Sequence, residues 1–404
     1  WPAGKGVEVF DLLATPSGDV VAAGTHDQMF AVAKWTDSAL PDWTHHSDKD
    51  AWNGAAFDIV SAPDGALLAA GRVDGGGETW HDLAVVCLDP STGAPRWTIR
   101  EDGSSHRNDE AASLAISPDG AAVAVAGFIE GGHPARLRVH AALLDLAHGK
   151  SLWALPHNGD TPNSMAFSNL FLPQGDPVVA GSRDMGAFAG PVYLSRLHRD
   201  DGREIWSRTI EAKPPGALAL LLGMALAPDG NLIALVQSRT RERALGATLV
   251  SVAPAHGLVR WQSDTIEGTA TSFAVTSGAA YLTTTRVAED GSWHSRLDFC
   301  DLQTGKWSAE SVVLTDGLGP PMAAAVTGHS DGTVLAAAGR QEGGVALLTL
   351  DHSNLPTEPA VIENLQWPLP NLGDGWTHGL MLRNRMLVSP EGTLPLVNQA
   401  ASQG

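Results

Sequence analysis

At 404 residues the chain is longer than one hydrophobic core usually grows, so several domains or a repeat architecture is expected. A formal charge of −19, with 18% charged and 43% hydrophobic residues, indicates an acidic folded protein. It argues against nucleic acid or an anionic membrane as partner, because both need a basic surface.

The first recurring element is a turn of the form xPxG. It closes at Gly18 (TPSG), Gly65 (APDG), Gly120 (SPDG), Gly175 (LPQG) and Gly230 (APDG), and in looser form at Gly278 (VTSG), Gly332 (HSDG) and Gly392 (SPEG). The intervals are 47, 55, 55, 55, 48, 54 and 60 residues, a period that signals a propeller or an array. Short apolar runs flank each turn, as in AAFDIVS before Gly65 and ALLAAG after it. Proline presets φ and glycine takes the left-handed position, which predicts tight hairpins. Ala- and Val-rich runs with little alternation predict strands buried on both faces. The longest apolar run, GALALLLGMALA at 216–227, is about half of the roughly 20 residues that span a bilayer, and suits such a strand.

A second hairpin follows in most repeats and ends in tryptophan: Trp97, Trp153, Trp206, Trp261 and Trp307, with Trp43 and Trp367 closing looser versions. Each unit is expected to have four antiparallel strands, A to D from the inside outward. The tryptophan is expected to fill space between neighbouring sheets, an indole burying roughly 150–250 Å². Radial packing hides both faces of each sheet, so the predicted fold is an all-β, eight-bladed β-propeller in one domain. The repeats run over about 7–54, 55–109, 110–163, 164–216, 217–268, 269–319, 320–375 and 376–404. The last is completed by the N-terminus, where Trp1 serves as an outer-strand tryptophan. Seven blades with an appended hairpin is the alternative.

The pattern Asp-x-x-Thr-Gly-x-x-x-Trp at 89–97, looser at 145–153 and 301–307, resembles the repeat of PQQ-like (quinoprotein-type, BamB-like) β-propellers. The likeness extends over nearly the whole chain. It implies either a non-catalytic binding propeller or a quinoprotein dehydrogenase holding Ca2+ and PQQ in a central funnel. The vicinal cysteine pair frequent in such enzymes is absent. Cys87 and Cys300 fall in C strands on opposite sides of the ring, too far apart for a disulfide, and are expected to be free and buried. No HExxH, EF-hand, CxxC or G-x-S-x-G pattern occurs. The numbering begins at Trp1, which together with the resemblance points to a processed, bacterial, secreted or periplasmic protein.

The D–A and B–C loops share one face and are the longer, more polar connections. THHSDKDAWNG (44–54), REDGSSHRNDE (100–110), RVDGGGETWHD (72–82) and RVAEDGSWHSR (286–296) are among them. Ligand-binding candidates on this face are Trp52, Trp80, His81, His106, Trp293, His294 and Trp376, with His133 and His157 also on that side. His45, His46 and Asp48 are the weak metal candidates, since neighbouring strand residues point oppositely. Seven residues before each turn glycine stand Asp11, Asp58, Ser113, Ser168, Gly223, Thr271, Ala325 and Arg385. They form an expected ring around the axis, in which buried aspartates need hydrogen bonds, ion pairs or channel water. Arg385 is positioned to neutralise Asp11 across the closure. The function that fits is a monomeric, non-catalytic binding or scaffold propeller recognising a protein or glycan, with no cofactor. The alternative is an enzyme with a top-face or axial site: a PQQ- or metal-dependent oxidoreductase, a lyase or a hydrolase.

Overall fold

The structure is a computed structural model and describes residues 7–15, 17–36, 40–47, 54–76, 80–131, 136–155, 163–183, 190–240, 245–287, 292–318, 324–328, 334–339, 345–350 and 360–362. Every regular element among them is a β-strand. Consecutive strands pair antiparallel in chain order into seven sheets of four strands, the fifth sheet gaining a short extra strand, Ile266–Glu267. The first sheet consists of Val7–Ala14, Val20–His26, Met29–Trp35 and Trp43–His46. The eighth repeat, with Trp367, Trp376 and Arg385, lies outside the described residues, as does Trp1.

The A–B turns form as their sequences dictate. Gly18, Gly65, Gly120, Gly175 and Gly230 have φ between +68° and +98°. Each donates its amide to the carbonyl three residues back, at 2.8–2.9 Å. The looser sixth turn is one residue shorter, closing through Thr276 N–H to the Ala279 carbonyl at 3.0 Å.

Burial is greatest in the two middle strands of the sheets and least at the outer edge. The B strands Val20–His26 and Pro177–Ser182 are buried almost throughout, whereas the D strands Pro95–Glu101 and Glu204–Ile210 expose most residues. The apolar core is divided into seams, each shared by adjacent sheets. Val21, Phe30 and Ile59 lie in the first seam; Leu68, Val85 and Leu114 lie in the second. Further clusters join the third sheet to the fourth, and so on to the seventh. No sheet has a core of its own, which is why the unit must repeat.

At the outer radius one residue type joins each of the first five seams. Trp43, Trp97, Trp153, Trp206 and Trp261 donate Nε1–H to the carbonyls of Pro90, Leu146, Arg199, Pro254 and Leu302, at 2.6–3.2 Å. Each acceptor lies in the C–D turn of the next sheet. Three residues further on stand Gly93, Gly149, Gly202, Gly257 and Gly305, all with φ of +66° to +69°. The indole lies flat on that glycine: an added Cβ would come within 2.4–2.7 Å of its ring carbons. The glycine therefore supplies both the turn and the seat.

Trp307 breaks the pattern. The other four indoles of the Gly-turn hairpins follow their own turn glycine by four residues, but Trp307 follows Gly305 by two. Its Nε1–H reaches back to the Asp264 carbonyl at 2.7 Å, and its ring packs against the same apolar cluster as Trp261. It fills space between sheets, as expected, but on the preceding blade. Cys87 and Cys300 are free and buried, opposite Trp97 and Trp307 respectively. Burial pushes the Cys87 thiol up to about 11 and the Cys300 thiol to about 12, so both are inert at neutral pH.

Substituting Gly149→Ala drives a Cβ against Trp97 at a positive φ, whereas Gly230→Ala has the positive φ alone, with nothing within 4 Å. Left-handed strain costs about 1 kcal/mol at either site, and overpacking adds about 1–3 kcal/mol at Gly149. Urea midpoints should fall clearly further for Gly149→Ala than for Gly230→Ala.

Candidate functional site

The ring positions acquire their geometry from a bulge. In the first six inner strands the register shifts at one place: between Val9 and Asp11, Ala56 and Asp58, Ala111 and Ser113, Ala166 and Ser168, Leu221 and Gly223, and Ala270 and Ser272. A bulge re-aims the side chain that follows it. In four blades a B-strand glycine accommodates it; a Cβ on Gly24, Gly71, Gly127 or Gly181 would lie 1.8–1.9 Å from the facing carbonyl oxygen.

The re-aimed side chains bond to the next blade. Asp11 Oδ2 accepts the Ile59 amide at 3.1 Å, and Asp58 Oδ2 accepts the Leu114 amide at 2.7 Å. Ser113 Oγ accepts the Asn169 amide at 3.2 Å and Ser272 Oγ the Val326 amide at 3.3 Å. Asn169 strengthens its seam by accepting from Ser113 Oγ and donating to the Ala124 carbonyl, at 2.9 and 3.0 Å. Ser168 is buried at the same level, and Phe273 lies 3.1 Å from where a Cβ of Gly223 would be. In the sixth blade Ser272 makes the bond, while Thr271 is the bulge residue, joined to Thr283 Oγ1 at 2.8 Å. Counting back from Gly278 arrives one residue early because that turn is one residue shorter. Asp11 and Asp58 are 2% and 0% exposed, so hydrogen bonding to backbone amides is the compensation their burial requires.

The loop candidates converge only in part. Trp80, His81 and His106 lie in the loops of the second and third sheets. His81 Nδ1–H donates to Asn108 Oδ1 at 2.7 Å and its backbone bridges to Asn108, which joins the B–C loop of the second sheet to the following D–A loop. Burial holds the His81 imidazole below its usual pKa, in the neutral form. Asp109 is fully buried and receives amide N–H bonds from Gly103 and Glu130 at 2.5 and 2.7 Å. Arg72 pairs with Glu110 at 3.1 Å, Arg107 with Glu130 at 3.7 Å, and Arg100 with Asp82. His106 sits at φ +54°, 2.6 Å from Asp102, whose carboxylate raises its pKa. Trp80 stands out from this network, 61% exposed.

The second Trp-His pair is not equivalent. Asp74 is paired with His81, but Val287 is paired with Trp293 and Arg286 with His294. His294 Nε2 bonds to Ser292 Oγ at 2.9 Å, far along the chain from the first pair. His45 and His46 occupy successive positions opposite Val32 and Ala31. His46 instead meets His26, a residue that linear spacing did not single out, at 2.7 Å. Trp52, Asp48, His133, His157, Trp376 and Arg385 lie outside the described residues. Among the described residues, no three His, Cys, Asp or Glu side chains are grouped to hold a metal ion, and no helix is long and apolar enough to cross a membrane.

Asp58→Ala should strand the buried Leu114 amide and lower stability by about 2–3 kcal/mol, while Asp58→Ser should recover much of the loss, since Ser113 and Ser272 bond the same way; denaturant midpoints distinguish the two. Desolvation by burial lifts the Asp109 carboxyl to about 6, against its two amide bonds and with Asp102 and Asp82 adding to the rise. A raised carboxyl favours the folded state below the unfolded pKa of 3.8, and that contribution is lost as pH rises through about 6. The stability of the wild type relative to Asp109→Asn should therefore increase by about 1–3 kcal/mol between pH 7 and pH 4.

Comparison with known proteins agrees with this architecture. The family described as outer membrane protein assembly factor BamB, of the PQQ-like type, matches residues 64–307. No curated protein matches the chain in sequence. A chain of the mitotic checkpoint complex superimposes with a TM-score of 0.53 at 11% identity, covering 85% of this chain and 87% of that one. The β-propeller domain of Cps50 (Swd1) from Myceliophteria thermophila gives 0.51 at 12% identity, covering 86% and 98%. Quinohemoprotein alcohol dehydrogenase from Comamonas testosteroni gives 0.51 at 12% identity, covering 81% and 62%. At these identities the superpositions speak for the fold. The match over 64–307, the indole seats and the repeated four-stranded sheets together establish that the chain belongs to the PQQ-like β-propeller family of the outer membrane protein assembly factor BamB.

Proposed function

We propose that the chain is a non-catalytic recognition propeller that docks a protein partner on the D–A and B–C loops of its second and third blades. The observation that carries this reading is Trp80. Its indole is 61% exposed in a loop whose flanking polar groups pair with one another: Asp82 with Arg100, His81 with Asn108, Arg72 with Glu110. An exposed tryptophan beside polar groups that are paired with one another has the makings of an interface anchor, since tryptophan dominates binding hot spots. The acidic surface favours a partner with basic groups around an apolar pocket.

The ring is proposed to have eight blades, with the repeat limits given above and the last blade built from 376–404 and the N-terminus. The succession of packed sheets from first to seventh supports this, as does an eighth xPxG turn at Gly392. Membership of a family named for outer membrane protein assembly supports an envelope location. The quinoprotein alternative meets a misfit. Among the described residues, the ring positions are Asp11, Asp58, Ser113, Ser168, Gly223 and Ser272, anionic or neutral. Each aspartate has one oxygen committed to a neighbouring amide. PQQ is a tricarboxylate and needs cationic partners, which the described ring positions do not offer; Arg385, the cation expected in the ring, lies outside the described residues.

The test places a photo-crosslinking amino acid at position 80 and, as a control on the outer rim, at Val259. A discrete protein adduct from position 80 and none from 259 is expected, and Trp80→Ala should abolish capture of that partner without shifting the melting temperature. Adducts to glycan alone, or equal labelling from both positions, would overturn the reading.

A further inference from the structure

His26 ends the B strand of the first blade and His46 ends its D strand. The C strand lies between them, yet His26 Nδ1 and His46 Nε2 approach to 2.7 Å, with ring centroids 4.9 Å apart and planes inclined by 34°. At that separation the two nitrogens share one proton, one ring donating and the other accepting. Two imidazole nitrogens held this close are also half of the donor set that a borderline divalent ion takes from proteins, once the rings tilt from facing each other toward the ion. Metal–nitrogen bonds of about 2.0–2.1 Å hold two such nitrogens roughly 3.3 Å apart across a tetrahedral angle, so the rings need part by only about 0.6 Å.

The turn that presents His26 is built for position. Asp27 and Gln28 adopt φ of +50° and +63°, the left-handed pair of a two-residue hairpin, which Asn-Gly fills with less strain. Asp27 Oδ2 lies 3.9 Å from His26 Nε2, the ring nitrogen remote from His46. A carboxylate on that side favours the tautomer with its proton on Nε2 and leaves Nδ1 to donate its lone pair. The Gln28 carbonyl accepts the Gly54 amide at 2.7 Å, which ties the turn to the start of the second blade.

The geometry points to His26 and His46 as a two-imidazole site for one divalent ion of the Zn2+, Ni2+ or Cu2+ class, with water completing the coordination. On binding, the ion takes the place of the shared proton; that proton leaves His46 Nε2 and is carried by His46 Nδ1 instead, so both imidazoles stay neutral. The ion would staple the B–C turn of the first blade to its outer strand, at the edge where the chain crosses to the second blade. This site does not depend on the docking face around Trp80.

The full-length chain is titrated with Zn2+ against a chromophoric chelator, alongside His26→Gln, His46→Gln and His45→Gln. One ion is expected on the wild type and on His45→Gln, weakened at least about tenfold in the other two. Glutamine keeps a hydrogen-bonding side chain, and metal-free melting temperatures near the wild type verify that the variants fold. With Cu2+, electron paramagnetic resonance of the wild type should show coupling to two imidazole nitrogens, and this decides the matter even if a variant misfolds. No saturable ion on the wild type, equal loss in His45→Gln, unchanged binding in both His26→Gln and His46→Gln, or a Cu2+ spectrum without two imidazoles would overturn the site.

Discussion

The architecture depends on the contact between an outer-strand indole and the glycine turn of the following sheet. A four-stranded sheet of Ala- and Val-rich strands is apolar on both faces and has no reason to stop at any particular angle against its neighbour. The indole gives it one. Trp97, for example, has its ring on Gly149 and its N–H on the Leu146 carbonyl, so apolar contact and hydrogen bond select the same geometry. A residue with a Cβ at the turn would remove the seat, and a phenyl ring in place of the indole would leave the carbonyl without that donor. Repetition of the pair at five seams turns a weak local preference into a fixed sheet-to-sheet register.

The inner radius uses a different device for the same purpose. A bulge at Asp11, Asp58, Ser113 and Ser272 aims a short polar side chain sideways into a backbone amide of the next blade. The first three of those seams therefore have a polar bond at the axis and an indole at the rim, with the apolar seam between them. Polar residues near the axis of such a fold invite a catalytic interpretation. Here their burial and their partners give them an architectural role, which moves attention to the loops.

Much of this was legible in the sequence because its parts are local. The xPxG turns, the Asp-x-x-x-Gly turns and the tryptophan four residues after the glycine are short patterns set by φ and by strand length, and they repeat. Counting along the chain fails where a turn changes length. The turn at Thr276–Ala279 is one residue shorter and shifts the ring position from Thr271 to Ser272; Trp307 stands two residues nearer its glycine and turns back to Asp264. The site was less legible, since its contacts join residues from different strands. Nothing in linear spacing links His26 to His46 across a third strand, or makes Asn108 the partner of His81. The two Trp-His strings look alike as text, yet one has histidine and the other tryptophan at the same pairing position, Asp74 with His81 and Val287 with Trp293.

The distribution of the two devices has a consequence for function. The first, second and third seams carry both the inner bond and the indole. The fourth and fifth carry the indole, through Trp206 and Trp261, with Phe273 occupying the space beside Gly223. The sixth keeps the inner bond from Ser272 to Val326, while Trp307 faces the other way. Every described seam therefore retains at least one device, and those fixed at both radii are contiguous. The loops around Trp80 rise from the second and third blades, within that doubly fixed sector, and are cross-linked again by Asp109, Asn108 and Glu130 above it. A surface meant to hold one shape for a partner gains most where the supporting sheets move least. Among the described residues, the sector fixed at both radii and the exposed indole of Trp80 coincide, so the proposed docking loops stand on the part of the repeat with the most cross-links.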